Sequence, residues 1–188
     1  MHKLGIIAAC GLICAPVAGP ALATGIDIQV AGVANGTISI DLLEDVAPKH
    51  VEQMTALAEQ GFYDDVYFHR VINGFMAQTG DGENAEVEDG NTRYAGTGGS
   101  EMPDLNAEFS NISFERGIVG MARSSSPNSA NSQFFIVFDD ATFLDGQYTV
   151  VGRVTSGMDI VDKIKKGDAR TGAITGEPDR MVKVTVTD

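Results

Sequence analysis

The residue best suited to chemistry in this sequence is an arginine within an otherwise apolar segment. Arg70 lies in the strand-like stretch 66–72, directly after His69. Because side chains alternate between the two faces of a strand, these two residues are expected to point in opposite directions. A guanidinium stays protonated and presents several N–H donors in fixed geometry, so Arg70 could stabilise a polarised group without moving a proton. His69 is expected to be structural, to point into the fold and to have a hydrogen-bond partner there.

Two further segments place polar and apolar side chains together. Met76 and Gln78 share one face of the strand that follows Arg70, and Gln133 and Phe135 share one face of a later strand. The segment 143–148 is a loop that begins and ends with an aromatic residue. The later strand therefore offers an amide and an aromatic ring on the same side.

The elements that must position these residues are mostly strands. Strand-like patterns cover 26–33, 37–43, 66–72, 75–79, 117–123, 133–138, 148–154 and 181–187. Asn35-Gly36 predicts a type I′ hairpin, and Asn73-Gly74 predicts a second turn. One helix is predicted between Pro48 and Gly61, with Val51, Met54, Leu57 and Ala58 as its apolar stripe. A second is predicted over 156–166, with Ser156 and Asp159 as a capping-box-like start.

The two helices lie far apart in sequence and do not alternate with the strands. A parallel sheet built from strand-helix-strand units is therefore not expected. The pattern favours a mostly β fold, an antiparallel barrel that is closed and has helices over its ends.

Three sequence blocks are similar to the signature blocks of cyclophilins. They are Phe-His-Arg-Val-Ile-Asn-Gly-Phe-Met-Ala-Gln-Thr-Gly at 68–80, Ser-Gln-Phe-Phe-Ile at 132–136 and Phe-Leu-Asp-Gly at 143–146. The glycine-rich run 96–99 matches a further segment of the family. The blocks follow the family's order with near-family spacing, and the resemblance extends from about residue 36 to residue 186.

This resemblance implies a closed eight-stranded antiparallel β-barrel capped by two α-helices, with a substrate groove on the outer face of the barrel. It implies peptidyl-prolyl cis-trans isomerase activity without a cofactor, with Arg70 as the catalytic residue. The positions that match the family's substrate-binding residues are Phe75, Met76, Gln78, Ala122, Arg123, Ser124, Gln133, Phe135, Phe143, Leu144 and Tyr148.

Three of these positions depart from familiar members of the family. Phe143 stands where many members have Trp, and Tyr148 and Arg123 stand where the human cytosolic form has His and Asn. These changes affect expectations about drug binding and peptide preference more than those about activity. The loop 124–131 resembles the bacterial branch of the family.

The first 23 residues are predicted to be a secretory signal peptide. A basic start at Lys3 precedes an apolar run that is too short to span a membrane, and Ala21-Leu22-Ala23 matches a signal-peptidase site. Residues 24–188 would then form one isomerase domain in an exported protein, most simply a periplasmic one. A lipoprotein-like box ending at Cys10 is a competing interpretation.

Composition narrows the set of partners. The chain carries a net charge of −13, which disfavours binding to nucleic acid or to an anionic membrane surface. Both cysteines, Cys10 and Cys14, lie in the leader, so neither thiol catalysis nor a disulfide is expected in the mature domain. Proline-containing polypeptides are the expected partners, and the protein is expected to be a monomer.

Several alternatives to the isomerase follow from the same residues. A domain of this fold could bind proline peptides as a chaperone or scaffold with little turnover. A serine hydrolase is disfavoured because the sequence contains no Gly-x-Ser-x-Gly elbow. The acidic run 81–89 resembles a calcium loop only loosely, and no Lys follows the glycines at 96–99 as in a phosphate-binding loop, so no metal site is predicted.

Overall fold

The structure, a computed structural model, describes residues 24–86 and 93–188. The strands in these ranges are β1 (Gly25–Ala31), β2 (Gly36–Leu42), β3 (Val66–Tyr67), β4 (Arg70–Ile72), β5 (Met76–Thr79), β6 (Ile118–Met121), β7 (Phe134–Val137), β8 (Val150–Ser156) and β9 (Arg180–Thr187). The helices are α1 (Pro48–Glu59), a short 3-10 turn (Thr142–Leu144) and α2 (Met158–Lys163). The predicted signal peptide and both cysteines lie outside the described residues.

The strands form one curled antiparallel sheet in the order β3-β9-β1-β2-β8-β6-β7-β5-β4. The mostly β fold with two α-helices agrees with the prediction. The closed eight-stranded barrel does not, because the described sheet has nine strands and the ladder is not continuous between β3 and β4. Only Phe68 and His69 separate these two edge strands in the chain.

The extra strand arises because the predicted strand 66–72 changes partners. Val66 pairs with Met181 of β9, whereas Arg70 pairs with Gln78 of β5. Between them the chain leaves the ladder, although the Phe68 amide still donates to the Asp179 carbonyl at 2.9 Å. Because this corner interrupts the alternation, Phe68 and Val71 are both in the core, and Arg70 is free to face outward.

Helix α1 packs against β9 and covers the main core, the larger cluster of buried apolar side chains, to which β1, β2 and β9 contribute. Pro48 occupies its first turn, as predicted, and the chain leaves the helix through Gly61, whose φ of 74° suits glycine. The predicted stripe is buried in full: Val51, Met54, Leu57 and Ala58. A second, smaller apolar cluster lies on the other side of the sheet and contains Met76, Phe114, Ile118, Phe135, Val137, Ala141, Leu144 and Val150.

Two local predictions were wrong. The β1–β2 connection is a longer loop rather than a two-residue type I′ turn, since Val30 pairs directly with Gly36 and Asn35 does not have a positive φ. Helix α2 is shorter than predicted and starts after Gly157, whose φ is 85°, with no side-chain cap. Asp159 instead accepts a hydrogen bond from Lys163 Nζ at 2.9 Å.

Within the two described ranges, no helix is long and apolar enough to cross a membrane. The same residues contain no group of three or more His, Cys, Asp or Glu side chains that could hold a metal ion.

Candidate active site

The smaller apolar cluster reaches the surface at a groove with two adjoining pockets. The first has a volume of about 410 Å³ and is lined by Arg70, Phe75, Met76, Gln78, Ala122, Arg123, Phe135, Phe143, Leu144, Gln147 and Tyr148. The second, of about 470 Å³, shares Gln78, Ala122 and Arg123 with the first. It is bounded in addition by Ser124, Gln133 and the glycine-rich run 96–99. The structure therefore brings all twelve predicted site residues to one groove.

Arg70 lies at the edge of the first pocket and is held from two sides. Its Nε donates to the Thr171 carbonyl at 3.1 Å, and its Nη1 donates to Gln78 Oε1 at 3.2 Å. Nη1 also lies 3.8 Å from Met76 Sδ. Partial burial lowers the pKa of Arg70 from its ordinary value, but a guanidinium remains protonated throughout the physiological range.

The apolar wall of the first pocket is aromatic. Phe135 stacks on the fully buried Phe114 with ring centroids 5.8 Å apart, and it meets Tyr148 edge-on at 5.7 Å. Phe75 contacts Phe143 at 5.3 Å, although Phe143 is 63% exposed. The wall thus combines a buried aromatic floor with an exposed aromatic rim, a surface suited to a small apolar ring.

Arg123 separates the two pockets. Its guanidinium lies over the Tyr148 ring, with Cζ 4.4 Å from the centroid. Nη2 donates to the Gln147 carbonyl at 2.9 Å, and Nη1 donates to the Ser124 carbonyl at 2.9 Å. These contacts fix Arg123 as a bridge between the loop after β6 and the loop before β8.

His69 is buried, as predicted. Among the described residues neither ring nitrogen makes a hydrogen bond of good geometry, although the Tyr67 backbone and the Gln133 side chain lie close enough to act on the ring. The corner between β3 and β4 turns the ring toward the glycine-rich run, where a Cβ on Gly96 would lie only 3.2 Å from Nε2. Burial lowers the pKa of His69 to about 4, and the nearby Asp81 carboxylate opposes that shift only in part.

A family model for cyclophilin type peptidyl-prolyl cis-trans isomerases matches residues 25–186. The chain belongs to this family of isomerases. A probable peptidyl-prolyl cis-trans isomerase of Brucella suis is 58% identical over 154 residues, which cover 81% of this chain and 78% of that protein. Peptidyl-prolyl cis-trans isomerase 9 of Schizosaccharomyces pombe is 36% identical over 80% of this chain, but the match covers only 24% of that longer protein.

Solved structures share the cyclophilin fold. A Cryptosporidium parvum cyclophilin type peptidyl-prolyl cis-trans isomerase, crystallised in the presence of the dipeptide Ala-Pro, superposes with a TM-score of 0.72. It is 23% identical and is matched over 87% of this chain and 99% of its own. A cyclophilin from Hirschia baltica superposes with a TM-score of 0.70 at 23% identity, covering 86% of this chain and 73% of that one.

Sequence reasoning missed several residues that line the groove of this cyclophilin. Gln147 lies in the first pocket, and its carbonyl holds Arg123. Asn131 lines the second pocket, accepts the Ser100 amide at 2.8 Å and donates to the Met102 carbonyl at 2.9 Å. Neither is marked by an unusual local pattern, and only the position of Gln147 directly after the Phe-Leu-Asp-Gly block could have drawn attention to it.

Proposed function

We propose that this cyclophilin accelerates rotation about X-Pro peptide bonds by directing the Arg70 guanidinium at the amide of a proline held in the first pocket. The observation that carries the proposal is the position of Arg70 at the edge of an aromatic pocket. Nε and Nη1 are engaged with the protein, whereas Nη2 makes no hydrogen bond within the described residues. A donor is therefore available to substrate from a side chain that is already held in place.

The chemistry of the reaction fits these residue types. Peptide rotation has a barrier of about 18–20 kcal/mol because resonance gives the C–N bond partial double-bond character. Rotation breaks this resonance and leaves a lone pair on the prolyl nitrogen, so a fixed cationic donor stabilises the twisted amide more than the planar one. Lowering a half-time of roughly 10–100 s by a thousandfold requires about 4 kcal/mol. One oriented donor in a pocket that excludes water can supply that amount.

The remaining site residues are assigned to substrate binding. Phe75, Met76, Phe135, Phe143, Leu144 and Tyr148 would surround the proline ring. The polar groups at Gln78, Ala122, Arg123, Ser124 and Gln133 would hold the peptide main chain. The structure of the Cryptosporidium protein was determined in the presence of the dipeptide Ala-Pro, which supports a proline-containing peptide as the class of ligand.

The test is an exchange measurement on an X-Pro peptide. Two-dimensional exchange NMR, with catalytic amounts of the protein, should show faster cis-trans interconversion than peptide alone. Chemical-shift changes in the groove without any faster exchange would support the alternative, a proline-peptide chaperone or scaffold. Absence of both binding and exchange would contradict both functions.

We also propose that the protein acts on polypeptides folding outside the cytoplasm. The support is the leader, with its basic start and its Ala21-Leu22-Ala23 sequence. N-terminal sequencing of the protein from the periplasmic fraction should give Thr24 as the first residue. A lipid-modified Cys10, or a soluble protein that retains the leader, would contradict this prediction.

A further inference from the structure

Asp81 is a completely buried carboxylate that lines neither pocket of the groove. It lies two residues after the end of β5 and has no ion-pair partner in the described part of the chain. Its oxygens accept three backbone N–H groups: Oδ1 accepts from Asn84 at 2.9 Å, and Oδ2 accepts from Gly96 at 2.7 Å and from Gly98 at 3.1 Å. A buried carboxylate is costly unless hydrogen-bonded, so these donors stabilise it and it fixes them in return.

The glycines of the run 96–99 allow this close approach. Gly96 has a φ of 91°, a conformation that favours glycine. A Cβ on Gly98 would overlap the Asp81 carboxylate. The backbone of the run therefore lies directly on Asp81, and the position of the Gly98 carbonyl depends on that contact.

From Gly98 a chain of side-chain hydrogen bonds leads to Arg70. Gln133 Nε2 donates to the Gly98 carbonyl at 2.8 Å, and Gln78 Nε2 donates to Gln133 Oε1 at 2.8 Å. Arg70 Nη1 donates to Gln78 Oε1 at 3.2 Å. Because an arginine can only donate and a carbonyl can only accept, the two ends of the chain require each glutamine amide to adopt this one orientation.

We infer that Asp81 is a positioning residue for the isomerase reaction. By fixing the Gly98 carbonyl it orients Gln133 and Gln78, and through them it restricts the Arg70 guanidinium to the direction needed at the twisted amide. The inference rests on the proposed role of Arg70. Neither the family match nor the list of residues that line the groove gives Asp81 a role in the reaction.

Asp81→Asn is the direct test. It keeps the shape of the side chain but replaces one acceptor oxygen with an NH₂ group, which must face a backbone N–H. The kcat for X-Pro exchange should fall about fivefold to tenfold, and this fall should exceed any rise in KM, since the apolar residues that form the proline pocket are untouched. The NMR resonance of the Arg70 Nε–H group should shift, which a local effect on the loop alone would not cause.

Asp179→Asn is the matched control. Asp179 is also buried and also accepts backbone N–H groups, from Ala34 at 2.9 Å and Lys165 at 2.6 Å, but these hydrogen bonds are not part of the chain from Gly98 to Arg70. This variant should lose thermal stability and keep the wild-type kcat in its folded fraction. An equal fall in kcat for both variants would mean that loss of any buried carboxylate impairs the enzyme, and would overturn the inference.

A double-mutant cycle separates positioning from general damage. Gln133→Leu breaks the chain between Gly98 and Gln78, so adding Asp81→Asn to it should not lower kcat further, although the stability losses should still accumulate. If Asp81→Asn does not fold, Gly98→Ala offers a second test. It displaces the Gly98 carbonyl without removing the Asp81 carboxylate and should lower kcat by a similar factor. If a folded Asp81→Asn or Gly98→Ala variant kept the wild-type kcat while Arg70→Ala was impaired, this inference would be overturned and the proposed function would stand.

Discussion

Arg70→Ala is expected to lower the turnover of an X-Pro peptide by at least tenfold and by up to a thousandfold. The loss corresponds to about 1.4–4 kcal/mol of transition-state stabilisation, because the variant removes the cationic donor at the rotating amide. The sheet should remain folded, since Arg70 is only half-buried and faces the groove rather than the core. Exchange NMR measures the rate, and titration with a peptide should show a much smaller loss of affinity because the aromatic pocket is intact.

Two comparison variants make this measurement specific. Arg70→Lys should restore only part of the rate, since an ammonium cannot donate to Gln78, to Thr171 and to substrate with the same planar geometry. Arg123→Ala controls for the second guanidinium of the groove, which is already engaged with Tyr148 and Gln147. If the folded Arg70→Ala variant exchanged the peptide at the wild-type rate, the proposed mechanism would be wrong.

The second large effect concerns acid stability and arises from His69. An imidazole has a pKa of 6.5 in the unfolded chain, whereas burial lowers the pKa of His69 to about 4 in the folded protein. Between these values the unfolded state binds the proton and the folded state does not, so the free energy of unfolding decreases as the pH falls. The contribution of His69 should be negligible above pH 7 and should reach a loss of about 3 kcal/mol near pH 4.

His69→Gln isolates this contribution because the amide does not titrate. Carboxylates titrate in the same range, so the informative quantity is the difference between the wild-type and variant unfolding free energies at each pH. The wild type should lose stability more steeply than the variant between pH 6.5 and pH 4, whatever their offset at neutral pH. Parallel curves, or an NMR titration of the folded wild type with a His69 midpoint near 6.5, would contradict the prediction.

Local sequence was sufficient to predict those elements whose structure depends on residues close together in the chain. Pro48 and the four-residue apolar stripe predicted α1 correctly, since helix periodicity depends on residues within a few turns of one another. Ile38, Ile40 and Leu42 alternate along β2 and are all buried, since successive side chains of a strand face opposite sides of the sheet. The type I′ turn predicted from Asn35-Gly36 was wrong because a residue remote in sequence holds this loop. The Asp179 side chain accepts the Ala34 amide at 2.9 Å.

In the site, too, some features follow from the sequence and others depend on contacts between remote residues. The sequence by itself identified twelve residues of the groove, both of its arginines among them, because motif resemblance carries residue identity, but it did not identify Gln147 or Asn131. Only the tertiary structure decided how those residues are oriented. The corner at 68–69 placed His69 beside the glycine-rich run, since β3 and β4 bind strands remote in sequence. Likewise, the chain from Asp81 to Arg70 joins Gln78 to Gln133, 55 residues apart, a contact that exists only once the sheet has curled.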